Sequence, residues 1–260
     1  MTLAPNSRFG PYTITCLLGV GLSSEVYRCQ DTARGRDVAL KVLEPESGRE
    51  EETKVAQFYE EALILGSIRH PNIVELYDSG VENGVHYIVS EFLDGVPLSG
   101  PLPTAELTLV AAQIAAGITA LHDAGIAHKD VKPRNLILTT GGRVKIIDFG
   151  IAQKLTPEMR ADPQKLAEWR RHARNDQLAL GLSLYELATG KGPFEDPKAA
   201  KALAELLGNQ LLPLPPETQF SMQDAMRRCA AEDGGHAALL LAAMSVALSL
   251  AGAPLPQPET

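Results

Sequence analysis

Two stretches of this 260-residue chain carry residue types that handle phosphate and hard cations. In the first, Gly19-Val20-Gly21-Leu22-Ser23-Ser24-Glu25-Val26 puts two glycines just ahead of an alternating run. Glycine lets backbone N–H groups approach phosphate oxygens closely, although a short glycine loop taken alone also fits a plain hairpin turn. Lys41 follows Gly21 by 20 positions, inside the apolar run Val38-Ala39-Leu40-Lys41. A lysine so placed either snorkels to solvent or sets a point charge against phosphates. The second stretch is His128-Lys129-Asp130-Val131-Lys132-Pro133-Arg134-Asn135, with Asp148-Phe149-Gly150 after it. An Asp, an Asn five positions on and a further Asp supply oxygen ligands for a hard cation. They also leave one carboxylate for an acceptor hydroxyl. Singly, Asp130 could cap a turn and Phe149 could be plain core; together and in this order they point to phosphoryl chemistry.

The elements that must position these residues change type along the chain. Strand patterns run over 12–18, 25–30 and 37–43, with an acidic connector at 44–52 that reads as a solvated loop. Helical spacing follows at Val55, Phe58, Ala62, Leu65 and Ile68, ended by His70-Pro71. Strands 73–77 and 86–92 flank the turn 81–84. From 104 the pattern is helical: 104–124 with Thr104 as candidate N-cap, then short strands at 137–138 and 144–147. Helices are predicted at 163–174 (Asp162 as cap), 176–188, 197–207, 221–231 and 237–251, with 211–216 as a connector. The expected organisation is one α+β domain over 1–260: a strand-rich lobe at about 9–92, a helical lobe at 93–252 and a tail at 253–260.

Bulk composition narrows the partners. There are 24 Lys+Arg against 32 Asp+Glu, a formal net charge of −8, which argues against nucleic acid or an anionic membrane surface. Three cysteines (Cys16, Cys29, Cys229) without CxxC spacing argue against a disulfide framework or a zinc site. With no apolar leader in the first ten residues, the expected location is cytoplasmic. The apolar run 237–251 is short for a membrane span and reads as a buried helix.

Taken together, the chain resembles a eukaryotic-type (Hanks-type) Ser/Thr protein kinase, most similar to short bacterial members of that family. The motifs that carry the likeness are the glycine loop, Val38-Ala39-Leu40-Lys41, Phe58-Tyr59-Glu60-Glu61-Ala62, His70-Pro71-Asn72-Ile73-Val74, the His128–Asn135 loop, Asp148-Phe149-Gly150 and residues 176–193. The resemblance implies a bilobal protein-kinase-like fold and transfer of the γ-phosphoryl of ATP to a protein hydroxyl, with Mg²⁺ (Mn²⁺ as the alternative). It implies that Leu18, Gly19, Val20, Gly21, Val26 and Ala39 line the nucleotide, with adenine against backbone groups of Glu91 and Leu93 and Ser90 as a small gatekeeper. Lys41 would hold the α/β-phosphates and pair with Glu61, Glu60 being the competing partner. Asp130 would take or orient the acceptor proton, Lys132 would neutralise the γ-phosphoryl, and Asn135 and Asp148 would bind the metal.

Four departures from the family pattern stand out. Ser24 replaces the third loop glycine, which implies weaker nucleotide binding. Lys129 replaces the usual Arg and lacks its bidentate fork. No Ala-Pro-Glu segment follows Asp148; Thr156 is the sole Ser, Thr or Tyr between Asp148 and Asp176, readable as an N-cap or as a phosphosite. Glu232-Asp233-Gly234-Gly235-His236 stands where the partner of that missing segment would be. Residues 160–174 are net +3 and contain Trp169, the only Trp. They form either a solvated basic face with Trp169 docked, or a surface for an acidic substrate or partner. Two rival functions share these motifs: a kinase-fold binding or scaffold module, and a small-molecule phosphotransferase.

Overall fold

The computed structural model describes residues 3–192 except Leu22 and residues 45–48. The helices expected at 197–207, 221–231 and 237–251, the connector 211–216, Cys229 and residues 232–236 lie outside the described residues. The chain divides into two compact units, Met1–Asp94 with Phe149–Ile151, and Gly95–Asp148 with Ala152–Thr260. The division falls at Asp94/Gly95 rather than at 92/93.

The first unit is built on β1 (Arg8–Phe9), β2 (Tyr12–Val20), β3 (Ser24–Asp31), β4 (Arg36–Leu43), helix α1 (Arg49–Gly66), β5 (Leu76–Glu82) and β6 (Val85–Glu91). The strands form one antiparallel sheet in the order β1-β2-β3-β4-β6-β5. Side chains alternate across a strand, so Val38, Leu40 and Val42 join Ile14, Tyr27, Cys29 and Val89 in a core on one face. Ala39 and Lys41 take the other face. There α1 docks, packing Phe58 and Ala62 against Leu43 and Ile88. The turn between β5 and β6 has Asn83 and Gly84 both at positive φ (51° and 81°), the conformation a two-residue hairpin prefers.

Helix α1 differs from the expected span at both ends. It starts at Arg49, inside the stretch read as a solvated loop, because an acidic sequence is favourable at a helix N-terminus. It stops at Gly66, before His70-Pro71, where Ser67 Oγ donates to the carbonyl of Ile64 and the backbone tightens. The strand expected at 73–77 forms later, as β5.

The second unit contains β7 (Gly95–Pro97), α2 (Thr104–Asp123), β8 (Ile126–Ala127), a 3₁₀ turn (Pro133–Asn135), β9 (Leu136–Thr139), β10 (Val144–Ile146), β11 (Gln153–Lys154), α3 (Pro157–Ala161) and α4 (Pro163–Thr189). Two small antiparallel sheets result, β10-β9-β7 and β11-β8. The short strands β7, β8 and β11 carry too few residues to leave a periodic signal. Helix α2 buries Leu107, Val110, Ala111, Ile114, Ile118 and Leu121, the i, i+3, i+4, i+7 stripe of a core helix. By length and composition Ala105–Asp123 would suffice to cross a membrane, and 50% of that window is buried inside the protein. Thr104 is not the N-cap: Pro103 holds that position, without a side-chain cap bond.

The largest correction concerns α4. The helices expected at 163–174 and 176–188 are one helix of 27 residues. Asp162 caps it, accepting from the backbone N–H of Gln164 (2.9 Å) and Lys165 (3.2 Å), and Gly190 ends it in the left-handed conformation (φ 74°). Asn175 and Asp176 are weak helix formers that suggest a break. The helix runs through them because Trp169, Ala173, Asp176, Leu180, Leu184 and Leu187 make one buried stripe. Thr156 caps the short α3, its Oγ1 accepting from Met159 N at 3.3 Å.

Candidate active site

In the first unit the sheet face that carries Lys41 is set by register. Val26 pairs with Lys41, Gly19 with Val26, and Ala39 with Ser90. Val26, Ala39, Lys41 and Ser90 are all half-buried on that side, while Leu18 and Val20 are exposed. Helix α1 brings its buried stripe over the same face. Glu61 lies on that stripe, three residues after Phe58 and four before Leu65, and is buried; Glu60 is exposed. Lys41 Nζ accordingly meets both oxygens of Glu61, at 2.6 Å and 2.9 Å. The ammonium also sits 5.8 Å from the Phe58 ring centroid. Lys41 does not snorkel, and between Glu60 and Glu61 the partner is Glu61.

The glycine loop can be tested for room. A Cβ added at Gly19 would meet nothing within 4 Å, and its φ is not in the left-handed region. Neither packing nor backbone strain within this unit asks for glycine there, so the open backbone suits an approaching oxyanion. The loop closes by Gly21 N donating to Ser24 O at 2.7 Å, with Ser24 at the position of the third glycine. At the end of β6, Glu91 N donates to Glu75 O (2.9 Å) and the Glu91 carboxylate accepts from Glu75 N (2.9 Å), which fixes the backbone leading to Leu93.

In the second unit the polar side chains converge on Asp130. Its Oδ2 accepts from Lys132 Nζ at 2.6 Å and from Asn135 Nδ2 at 2.9 Å, and its backbone carbonyl accepts from the same amide at 2.8 Å. The 3₁₀ turn makes this possible by folding Asn135 back, with Asn135 N donating to Lys132 O at 2.9 Å. Ile147 N donates to Asn135 O at 3.0 Å, so the residue preceding Asp148 is tied to the same turn. Lys129 and Asp148 both have positive φ (70° and 66°). Non-glycine residues in that region cost on the order of 1–3 kcal/mol and persist where surrounding structure over-determines them.

The restraint comes from two residues to which sequence reasoning gave no role. Asp176, almost fully buried on α4, accepts from His128 N (2.7 Å) and Lys129 N (2.7 Å), one on each oxygen. Its Oδ2 also meets His122 Nε2 at 3.0 Å. His128 is fully buried below Asp130. Its Nδ1 accepts from Asp130 N at 3.2 Å and its Nε2 donates to Ile147 O at 3.1 Å, a pattern that needs one ring proton, on Nε2. Burial pushes the His128 pKa below the usual imidazole value, against the pull of Asp176, which keeps the ring neutral. The available signal was an Asp on an otherwise apolar helical stripe, since a buried carboxylate must find donors.

Asn135 and Asp148 fit a divalent cation by donor chemistry. The Asn135 amide nitrogen is committed to Asp130, which leaves its amide oxygen as the ligand atom, and Asp148 is an exposed carboxylate. Two oxygen donors leave positions for phosphate oxygens and water, the usual way Mg²⁺ is held.

A two-unit fold with these motifs is that of a known domain family. The chain belongs to the protein kinase domain family, whose model matches residues 12–234. It is 33% identical over 208 residues to serine/threonine-protein kinase PrkC of Bacillus subtilis, covering 73% of this chain and 32% of that protein. It is 36% identical over 223 residues to a probable serine/threonine-protein kinase, SCO3848, of Streptomyces coelicolor, covering 73% of this chain and 32% of that protein. The chain thus spans about a third of the length of these curated relatives. Among solved structures, the crystal structure of the Mycobacterium tuberculosis PknI kinase domain superposes with a TM-score of 0.60 at 27% identity, over 95% of this chain and 100% of that one. These likenesses bear out the α+β protein-kinase fold.

Proposed function

We propose that the chain transfers the γ-phosphoryl of ATP to a Ser or Thr hydroxyl of a protein. The observation that carries this reading is the Asp130 cluster. Both contacts to the carboxylate fall on Oδ2, which leaves Oδ1 to receive an acceptor hydroxyl. Lys132 holds that carboxylate from one side and brings a positive charge to where a transferring phosphoryl develops negative charge. Lys41, oriented by Glu61, places a second charge on the nucleotide phosphates. Leu18, Gly19, Val20, Gly21, Val26 and Ala39 line the nucleotide, and the Glu91 and Leu93 backbone receives adenine. Asn135 and Asp148 would hold the divalent cation, which when bound neutralises phosphate charge. The rest of catalysis is positioning, because the phosphoryl transition state is loose.

The substrate we propose is acidic and docks at the first half of α4. Lys165, Arg171 and Arg174 are exposed there, and Trp169 is fully buried, so the basic face is presented without the aromatic ring. The decisive experiment incubates the protein with labelled ATP, Mg²⁺ and a protein acceptor, beside Asp130→Asn. Label in Ser or Thr that disappears in Asp130→Asn is expected. Nucleotide binding without any Asp130-dependent label would instead favour a binding module, and label passing only to small molecules would favour the third reading. Charge reversal at Arg171 and Arg174 is expected to raise KM for an acidic acceptor and leave KM for ATP unchanged.

A further inference from the structure

We propose that Trp169 is a positioning residue for the catalytic loop, coupling the segment after Asp148 to the backbone of His128 and Lys129. The inference rests on the kinase reading above, since the loop it positions is the one that carries Asp130.

Three contacts converge from this one side chain. Trp169 is fully buried with Ala127, Leu155 and Ala173, and half-buried Met159 and Leu166 close the seat. Ala127 is the residue directly before His128, so the ring packs on the start of the catalytic loop itself. The indole N–H donates to Gln153 O at 3.4 Å. Gln153 in turn pairs with Ala127 and Lys154 with Ile126 in the β11–β8 ladder, and Leu155 N donates to Gly125 O at 2.7 Å. The indole thus ties down the strand that follows Asp148 and the strand that enters the loop together. Third, the ring stands edge-on to His122, with centroids 6.5 Å apart at 77°. His122 is the side chain bonded to Asp176 Oδ2, the oxygen that also holds His128 N.

The helix makes this a single rigid device. Trp169 and Asp176 are seven residues apart, two turns of the uninterrupted α4, on one buried stripe. A shift of the indole therefore displaces the carboxylate that fixes the two loop amides. This explains why α4 extends 13 residues ahead of Asp176 and begins at a strong cap: the extension carries the Trp to its seat. A merely space-filling Trp would need neither the bond to β11 nor the register with Asp176.

The test compares the full chain with Trp169→Leu, which fills volume but lacks both the N–H and the aromatic edge, and Trp169→Phe, which keeps the edge. Three quantities are read: kcat, KM for ATP, and hydrogen exchange at the amides of residues 128 and 129 against those of α2. For Trp169→Leu, kcat is expected to fall about tenfold or more with KM for ATP within about threefold, the signature of a lost transition-state arrangement. Exchange at 128 and 129 is expected to speed up about tenfold or more while the α2 amides stay protected. Trp169→Phe, which keeps the edge but lacks the N–H, is expected to recover only part of the loss. The proposal is overturned if Trp169→Leu keeps the parent kcat, if kcat falls while 128 and 129 stay protected, or if α2 loses protection in parallel, the mark of global destabilisation. Should the parent chain show no Asp130-dependent transfer, the kinase reading fails, whereas the exchange comparison still decides whether Trp169 holds the loop.

Discussion

Replacing Asp176 removes the group that both loop amides and His122 use. The carboxylate accepts at 2.7 Å, 2.7 Å and 3.0 Å and is almost wholly shielded from water. In Asp176→Ala the N–H groups of His128 and Lys129 lose their acceptor together. A donor stranded inside a protein costs about 1–3 kcal/mol, so two give about 3–5 kcal/mol once partial relaxation is allowed. In Asp176→Asn one oxygen survives, but the new NH₂ opposes a donor on the other side, for about 2 kcal/mol. For a domain of this size each kcal/mol lowers Tm by roughly 2–4 °C, so the alanine variant is expected to melt roughly 6–20 °C below the parent. Thermal unfolding by circular dichroism measures this, and phosphoryl transfer at a temperature where both variants are folded measures the loop. We expect transfer to fall about tenfold or more in Asp176→Asn, because Lys129 can leave its positive φ and carry Asp130 with it. If Asp176→Ala melts within 2 °C of the parent, or Asp176→Asn transfers at the parent rate, the amide-anchor argument is wrong.

Three further outcomes follow from particular contacts. Lys41→Met is expected to abolish most transfer, by about 100-fold or more, and Glu61→Gln to lower it about tenfold, both in steady-state assays at saturating ATP; equal activity in Glu61→Gln would remove the orienting role of the pair. His128 is neutral when folded, with its pKa held below the unfolded value by burial. The unfolded chain therefore binds more protons than the folded one below about pH 6.5, and stability is expected to fall as pH drops through that region toward the depressed folded value. Urea midpoints at pH 7.5 and 5.5, compared between the parent and His128→Gln, test this; the variant is expected to lose less on acidification. Gly95→Ala would drive a Cβ into the Leu138 carbonyl oxygen, so β7 must leave β9, and a loss of about 1–3 kcal/mol is expected in chemical denaturation.

Much of this arrangement was legible in the order of residues. The apolar run Val38-Ala39-Leu40-Lys41 left Lys41 open between snorkelling and meeting phosphates, while Glu61 fell on the Phe58/Leu65 face of the helix that follows. Local chemistry also marked Asp162 as the start of a helix, because a cap is decided by its immediate neighbours. What the residue order did not contain was the continuity of α4 through Asn175-Asp176, or the use of Asp176 by amides 47 and 48 positions away. Propensity favours a break at that pair; burial of the Trp169–Leu187 stripe and the demand of two loop amides for an acceptor override it. The chemistry of the site was therefore set by local sequence: an acid, a lysine and an amide at fixed spacing. Its geometry was set by long-range contacts, because only packing can hold Lys129 and Asp148 in conformations their own backbones disfavour.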